Sequence, residues 1–109
     1  MFGGVPSLSV EELKARRDRG DRFTLLDVRE PHEWAISELP EAVKIPLGSL
    51  PQKFSELPKE EEIVVYCRSG ARSAQAVQFL QQKGYAGAKN LVGGINRWAE
   101  VVDKTMRQY

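Results

Sequence analysis

The chain has 109 residues, 41% hydrophobic and 28% charged, with a formal net charge of +1. This length suits one domain with a single core and is too short for two, and the composition excludes the disordered class. The near-neutral balance carries no electrostatic footprint for nucleic acid or a membrane surface, the one cysteine cannot close an internal disulfide, and no apolar stretch reaches the length of a bilayer span.

The first residues, "MFGGVPSLSV", lack the basic start and apolar run of a secretory signal, so a cytoplasmic location is expected. "SVEELKARRDRG" sets Ser9 and Glu12 at capping-box spacing, turns through Val10 and Leu13 and ends at Gly20, which predicts a short helix. "FTLLDV", Phe23 to Val28, is a compact apolar and β-branched run and predicts a buried strand. "PHEWAISEL" predicts one or two helical turns with Pro31 at the first position. "AVKIPL" predicts a short strand ended by Pro46, and "GSLPQKFSEL" a short irregular helix. "EEIVVYC" is the clearest strand: Ile63 to Tyr66 form the continuous run of a parallel strand covered on both faces. "SAQAVQFLQQKG" predicts a helix from near Ser73, with Ala74, Val77 and Leu80 at helical spacing and Lys83 and Gly84 at its end. "AKNLVGG" predicts a last strand closed by Gly93 and Gly94. Ile95, Trp98, Ala99, Val102 and Met106 then share one face of a terminal helix. Strands separated by helices indicate an α/β fold with a largely parallel central sheet. No repeat or linker divides the chain, so residues 1–109 are read as one domain.

Cys67 follows the best strand, and in parallel α/β sheets ligands bind beyond the carboxyl ends of strands. With a helix starting near Ser73, residues Cys67 to Arg72 must curl into a tight loop. Gly70 permits unusual dihedrals, Ser69 and Ala71 are small, and successive backbone amides of such a loop converge on an anion. The helix dipole and the flanking Arg68 and Arg72 favour the thiolate at such a site. The thiolate would therefore meet a substrate carrying an anionic group. His32, the one histidine, follows Pro31 at a helix start and reads as a surface residue, so a Cys–His hydrolase would need the fold to bring it to the thiol. One cysteine and one histidine do not make a structural zinc site. An activated thiolate in an anion cradle suits attack on sulfur or on phosphorus.

"LLDVREPHEWAISELPEAVKIPL", "VVYCRSGARS" and "LVGGINRW" resemble, in order and spacing, the three signature stretches of the rhodanese-like sulfurtransferase domain over about Val10 to Val102. The resemblance implies helices on both faces of the sheet and a six-residue active loop, here Cys67, Arg68, Ser69, Gly70, Ala71 and Arg72. It also implies that Cys67 takes a sulfane sulfur from a donor such as thiosulfate, holds it as a persulfide and passes it to cyanide or a thiol, with no cofactor or metal. Cysteine-dependent phosphatases and arsenate reductases have one more residue between cysteine and arginine than the four found here, which separates them from this loop. A non-catalytic docking module of the same fold is the other alternative, but such modules usually lack the cysteine. The partners implied are a small anionic sulfur donor and a thiol or sulfur-carrier protein as acceptor, met by a chain able to stand alone as a monomer.

Around the loop, Asp27, Arg29 and Glu33 match the first signature and read as a structural charge network. Asp27 is the one expected to touch the loop, since its strand should neighbour that of Cys67. Arg68 is expected at the rim, steering anions, and Arg72 is expected to close the loop onto carboxylates or carbonyls. Ser69 and Ser73 are candidate donors to the persulfide. Trp34 and Trp98 read as packing residues, and "KARRDR", interrupted by Asp18, as a solvated helix face. "ISELPEA" departs from the family pattern: Ser37 and Glu38 stand where Gly-His is frequent, and Glu41 where glycine is.

Overall fold

A computed structural model describes residues 4–109. Ser9 caps α1 (Val10–Arg19) through the Glu12 amide, the Glu12 side chain returns to the Ser9 amide, and Gly20 ends the helix. The buried run that follows becomes β2 (Thr24–Asp27), succeeded by one turn of helix, α2 (Pro31–Trp34). A two-residue strand, β3 (Val43–Lys44), leads into α3 (Leu50–Lys53), which is flanked by 3-10 turns. Then come β4 (Ile63–Tyr66), α4 (Ala71–Gln82), β5 (Ala88–Leu91) and α5 (Gly94–Val101). A further strand, β1 (Ser7–Leu8), had no sequence signal because two residues cannot display a period.

Every pairing is parallel, in the order β1-β5-β4-β2-β3, so β4 is central. Its four residues are fully buried, as a strand covered on both faces requires. Side chains alternate along it: Ile63, Val65 and Cys67 join a core with Val77 and Leu80 of α4 and Leu50 of α3. Val64 and Tyr66 join a second core with Leu13 of α1 and Ile95 and Trp98 of α5. Helices thus cover both faces, as expected, and Cys67 emerges on the α4 side. The connections out of β2 and β4 lead in opposite directions along the sheet, to β3 and to β5, which opens a crevice at the carboxyl ends of these two neighbours.

Two helix boundaries differ from expectation. α4 begins at Ala71, not near Ser73, because Gly70 takes the cap with φ of 117° and its carbonyl accepts from the Ala74 amide. Arg72 and Ser73 therefore lie in the first helical turn. α5 stops at Val101, where the Val102 and Asp103 amides both close on the Trp98 carbonyl. Val102 and Met106 still pack on the second core, outside the helix. Glu41 holds a φ of 67°, in the left-handed region that glycine adopts without strain. No helix among the described residues is long and apolar enough to cross a membrane.

Candidate active site

Cys67 is buried, directly beyond the end of β4. The Gly70 amide donates to its Sγ at 3.1 Å and the Ser73 amide at 3.4 Å, while the Ser73 hydroxyl lies 3.4 Å away. Amides in the first turn of a helix have no partner within the helix. Here two of them, at the cap and the third helical position of α4, aim at the sulfur, so backbone dipole and hydrogen bonds together favour negative charge on it. Ser73 is itself held by Asn90 of β5, whose Oδ1 accepts from the hydroxyl at 2.5 Å and whose Nδ2 donates to the Gly70 carbonyl at 3.4 Å. Asn90 is fully buried and was not singled out in the sequence, where it reads only as a strand residue.

The far side of the loop is tied to α2. Arg72 makes a two-pronged bond to Glu33, Nη1 to Oε2 at 2.6 Å and Nη2 to Oε1 at 2.8 Å. The Arg72 guanidinium holds the Glu33 carboxyl down to about 2 against the opposing effect of burial, with help from the Glu30 amide and the Tyr109 hydroxyl. Glu33, rather than Asp27, is thus the first-signature carboxylate that reaches the loop. Asp27 lies level with Tyr66 on the adjacent strand, as expected, but its oxygens face Arg29: Nε donates to Oδ1 at 3.0 Å and Nη2 to Oδ2 at 2.8 Å. This pair is fully buried. Burial opposes the charge on Arg29, but its bonds to Asp27 and Tyr109 more than offset that and hold the guanidinium above its ordinary range. Arg29 also donates to the Ser37 carbonyl at 2.7 Å, so it braces the irregular segment after α2. It supports the site at one remove, with Glu33 and Tyr109 between it and the loop.

The start of α5 closes the loop from its other flank. The Ile95 amide donates to the Cys67 carbonyl at 3.0 Å and the Asn96 amide to the Arg68 carbonyl at 3.1 Å. Such close docking requires Gly94: a Cβ there would stand 2.5 Å from the Arg68 oxygen and 2.6 Å from that of Cys67. In the sequence the paired glycines read only as a strand terminator. Arg68 and Ser69 are exposed, and the Arg68 guanidinium lies 5.0 Å from the centroid of the Tyr109 ring. A shallow groove beside the loop is lined by Ser69, Gly93, Asn96, Arg97, Glu100 and Gln108. Ser69 makes no hydrogen bond to Sγ, whereas Ser73 does. His32 is exposed on α2 and takes no part in the hydrogen bonds of Cys67.

A thiol lodged among amides at a helix start, with no histidine base, is the loop implied by the signature stretches. The family model for the rhodanese-like domain matches residues 9–101. The chain belongs to the rhodanese-like domain family. A sulfurtransferase of Allochromatium vinosum is 42% identical over 95 residues, covering 87% of this chain and 89% of that protein. A putative sulfur carrier protein of Bacillus subtilis, YrkF, is 34% identical over 86% of this chain, which spans about half (51%) of its length. Among solved structures, the human single-domain sulfurtransferase TSTD1 superposes with a TM-score of 0.77 at 33% identity, covering 90% of this chain and 98% of that one. This rhodanese-like chain therefore falls within the sulfurtransferase family.

Proposed function

We propose that the chain moves a sulfane sulfur from a small anionic donor such as thiosulfate to cyanide or a thiol, through a persulfide on Cys67. The observation that carries this reading is the convergence of the Gly70 and Ser73 amides on Sγ, in a loop that also carries Arg68 and Arg72. The Cys67 thiolate attacks the outer sulfur of thiosulfate. The sulfur–sulfur bond of the donor breaks and its electron pair departs with sulfite, which leaves the added sulfur bonded to Sγ. An acceptor nucleophile then attacks that outer sulfur, leaving as thiocyanate or as a new persulfide, and Cys67 returns as thiolate.

Charge stays negative throughout, so donors aimed at the sulfur assist each step. No proton must move at the sulfur, which is consistent with a thiol that has no histidine beside it. Gly70, Ala71 and Ser69 act in this reading through the shape and amides of the cradle, Ser73 through its amide, Arg68 through its charge and Arg72 by closing the loop onto Glu33. Asp27 and Arg29 are support. The similarity to a putative sulfur carrier protein supports a protein thiol or persulfide among the partners, and the compact chain acts as a monomer in the cytoplasm.

The test is intact mass. Cyanide-stripped, desalted protein incubated with thiosulfate gains the mass of one sulfur atom, loses it to cyanide, and shows no gain as Cys67→Ser. Loading from a protein persulfide but not from thiosulfate would revise the donor. No loading from either, with the thiol free and reduced, would overturn the reading in favour of a docking module.

A further inference from the structure

Residues 102–109 lie beyond the family match, which ends at residue 101, yet they return to the candidate site. Asp103 starts the return by accepting from both the amide and the hydroxyl of Thr105. At its end the Tyr109 amide donates to Asn96 Oδ1 at 3.2 Å, which ties the segment to α5. The Tyr109 hydroxyl accepts from Arg29 Nη1 at 2.9 Å and donates to Glu33 Oε1 at 2.8 Å. That oxygen is also the one that receives Arg72 Nη2. Both hydrogen-bonding capacities of the hydroxyl are thus used on the bracing network, and they fix the orientation of the ring. Against that ring lies the guanidinium of Arg68, 5.0 Å from its centroid.

Arg68 adjoins the nucleophile and is exposed. A free arginine side chain in water samples many rotamers, and its charge is then spread over a wide volume. A planar guanidinium on an anchored aromatic face is confined to a small one. We propose that Tyr109 is a positioning residue that sets the Arg68 guanidinium beside the Cys67 loop, so that the preference of the thiol for anionic partners depends on a residue outside the family domain. The proposal rests on the reading that Arg68 receives an anionic donor.

The experiment compares the rates at which Cys67 is alkylated by iodoacetate, an anion, and by iodoacetamide, its neutral counterpart, at low ionic strength. The variants are Tyr109→Ala, Tyr109→Phe, Arg68→Ala and the Tyr109→Ala/Arg68→Ala pair. Tyr109→Ala lowers the iodoacetate-to-iodoacetamide ratio by a factor of about two to five, the range of an exposed cation–π contact, with the iodoacetamide rate unchanged. Tyr109→Phe keeps the aromatic face but loses the two hydrogen bonds that orient it, and gives a ratio between those of wild type and Tyr109→Ala. Once Arg68 is alanine, losing Tyr109 changes the ratio no further. An unchanged ratio in Tyr109→Ala overturns the proposal, as does an equal fall in the Arg68→Ala background. A rise in the iodoacetamide rate does so too, since it marks a disturbed loop. No sulfur donor enters this assay, so failure of thiosulfate to load Cys67 would refute the proposed function and leave the role of Tyr109 to be decided by the ratio.

Discussion

Replacing Glu33 with glutamine keeps the shape of the side chain and removes the charge that Arg72 grips with both nitrogens. Lowering a carboxyl from 4.5 to about 2 is worth about 3 kcal/mol to the fold above pH 4.5. Arg72 is one-third exposed, and solvent screening brings the expected loss in Glu33→Gln to about 2 kcal/mol at pH 7. The pH dependence has a definite sign. Between about 2 and 4.5 the unfolded chain binds the Glu33 proton and the folded chain does not, so this stabilisation is complete above 4.5 and drains away as the pH falls through about 2. Urea denaturation of wild type and variant should therefore show a gap of about 2 kcal/mol at pH 7 that shrinks by more than half at pH 3. A gap of equal size at both pH values would refute the ion pair as its source and point to altered packing.

Three further outcomes follow from the same geometry. Arg29→Met leaves the Asp27 carboxylate buried without its partner and should cost about 3–5 kcal/mol in urea denaturation, most of it recovered when Asp27 is also made leucine; a loss under about 1 kcal/mol would show that Asp27 finds another partner. Gly94→Ala puts a Cβ against the Arg68 and Cys67 carbonyls at a φ of +62°. It should cost about 2–3 kcal/mol through backbone strain and disturbed hydrogen bonds, and slow persulfide loading; wild-type melting and loading together would contradict the close docking. Glu41→Gly relieves a left-handed φ of 67° and should raise stability by up to about 1 kcal/mol, offset in part by the greater freedom of glycine in the unfolded chain. Destabilisation read by thermal melting would mean that the Glu41 side chain holds the turn.

The elements that sequence made legible are those whose information is local. The Ser9–Glu12 capping box and Gly20 bound α1 because each acts within a few residues of chain, and the apolar run Ile63 to Tyr66 announces a central strand because burial on both faces leaves no room for polar alternation. Cys67 and its loop were legible for the same reason: strand end, small residues and helix start are contiguous. Where contiguity fails, so does the reading. The pattern of Ala74, Val77 and Leu80 sets the expected start of α4 near Ser73 and so leaves Arg72 in the loop, whereas the Gly70 cap begins the helix at Ala71. β1 exists because β5 offers it an open edge, not because two residues prefer a strand.

The partners of the site belong to the tertiary structure. Both Asp27 and Glu33 follow the signature pattern, and only the packing of α2 beside α4 decides that Glu33 meets Arg72 while Asp27 stays with Arg29. Asn90 of β5 reaches back to Ser73 in the first turn of α4, Gly94 meets the Cys67 and Arg68 carbonyls at the start of α5, and Tyr109 arrives after α5 has ended. Residue order fixes what each segment is able to become, since capping, periodicity and backbone strain act over a few residues. Which charges face one another depends on how separate segments are brought together, because hydrogen bonds and ion pairs act across distances in space that the order of residues does not express.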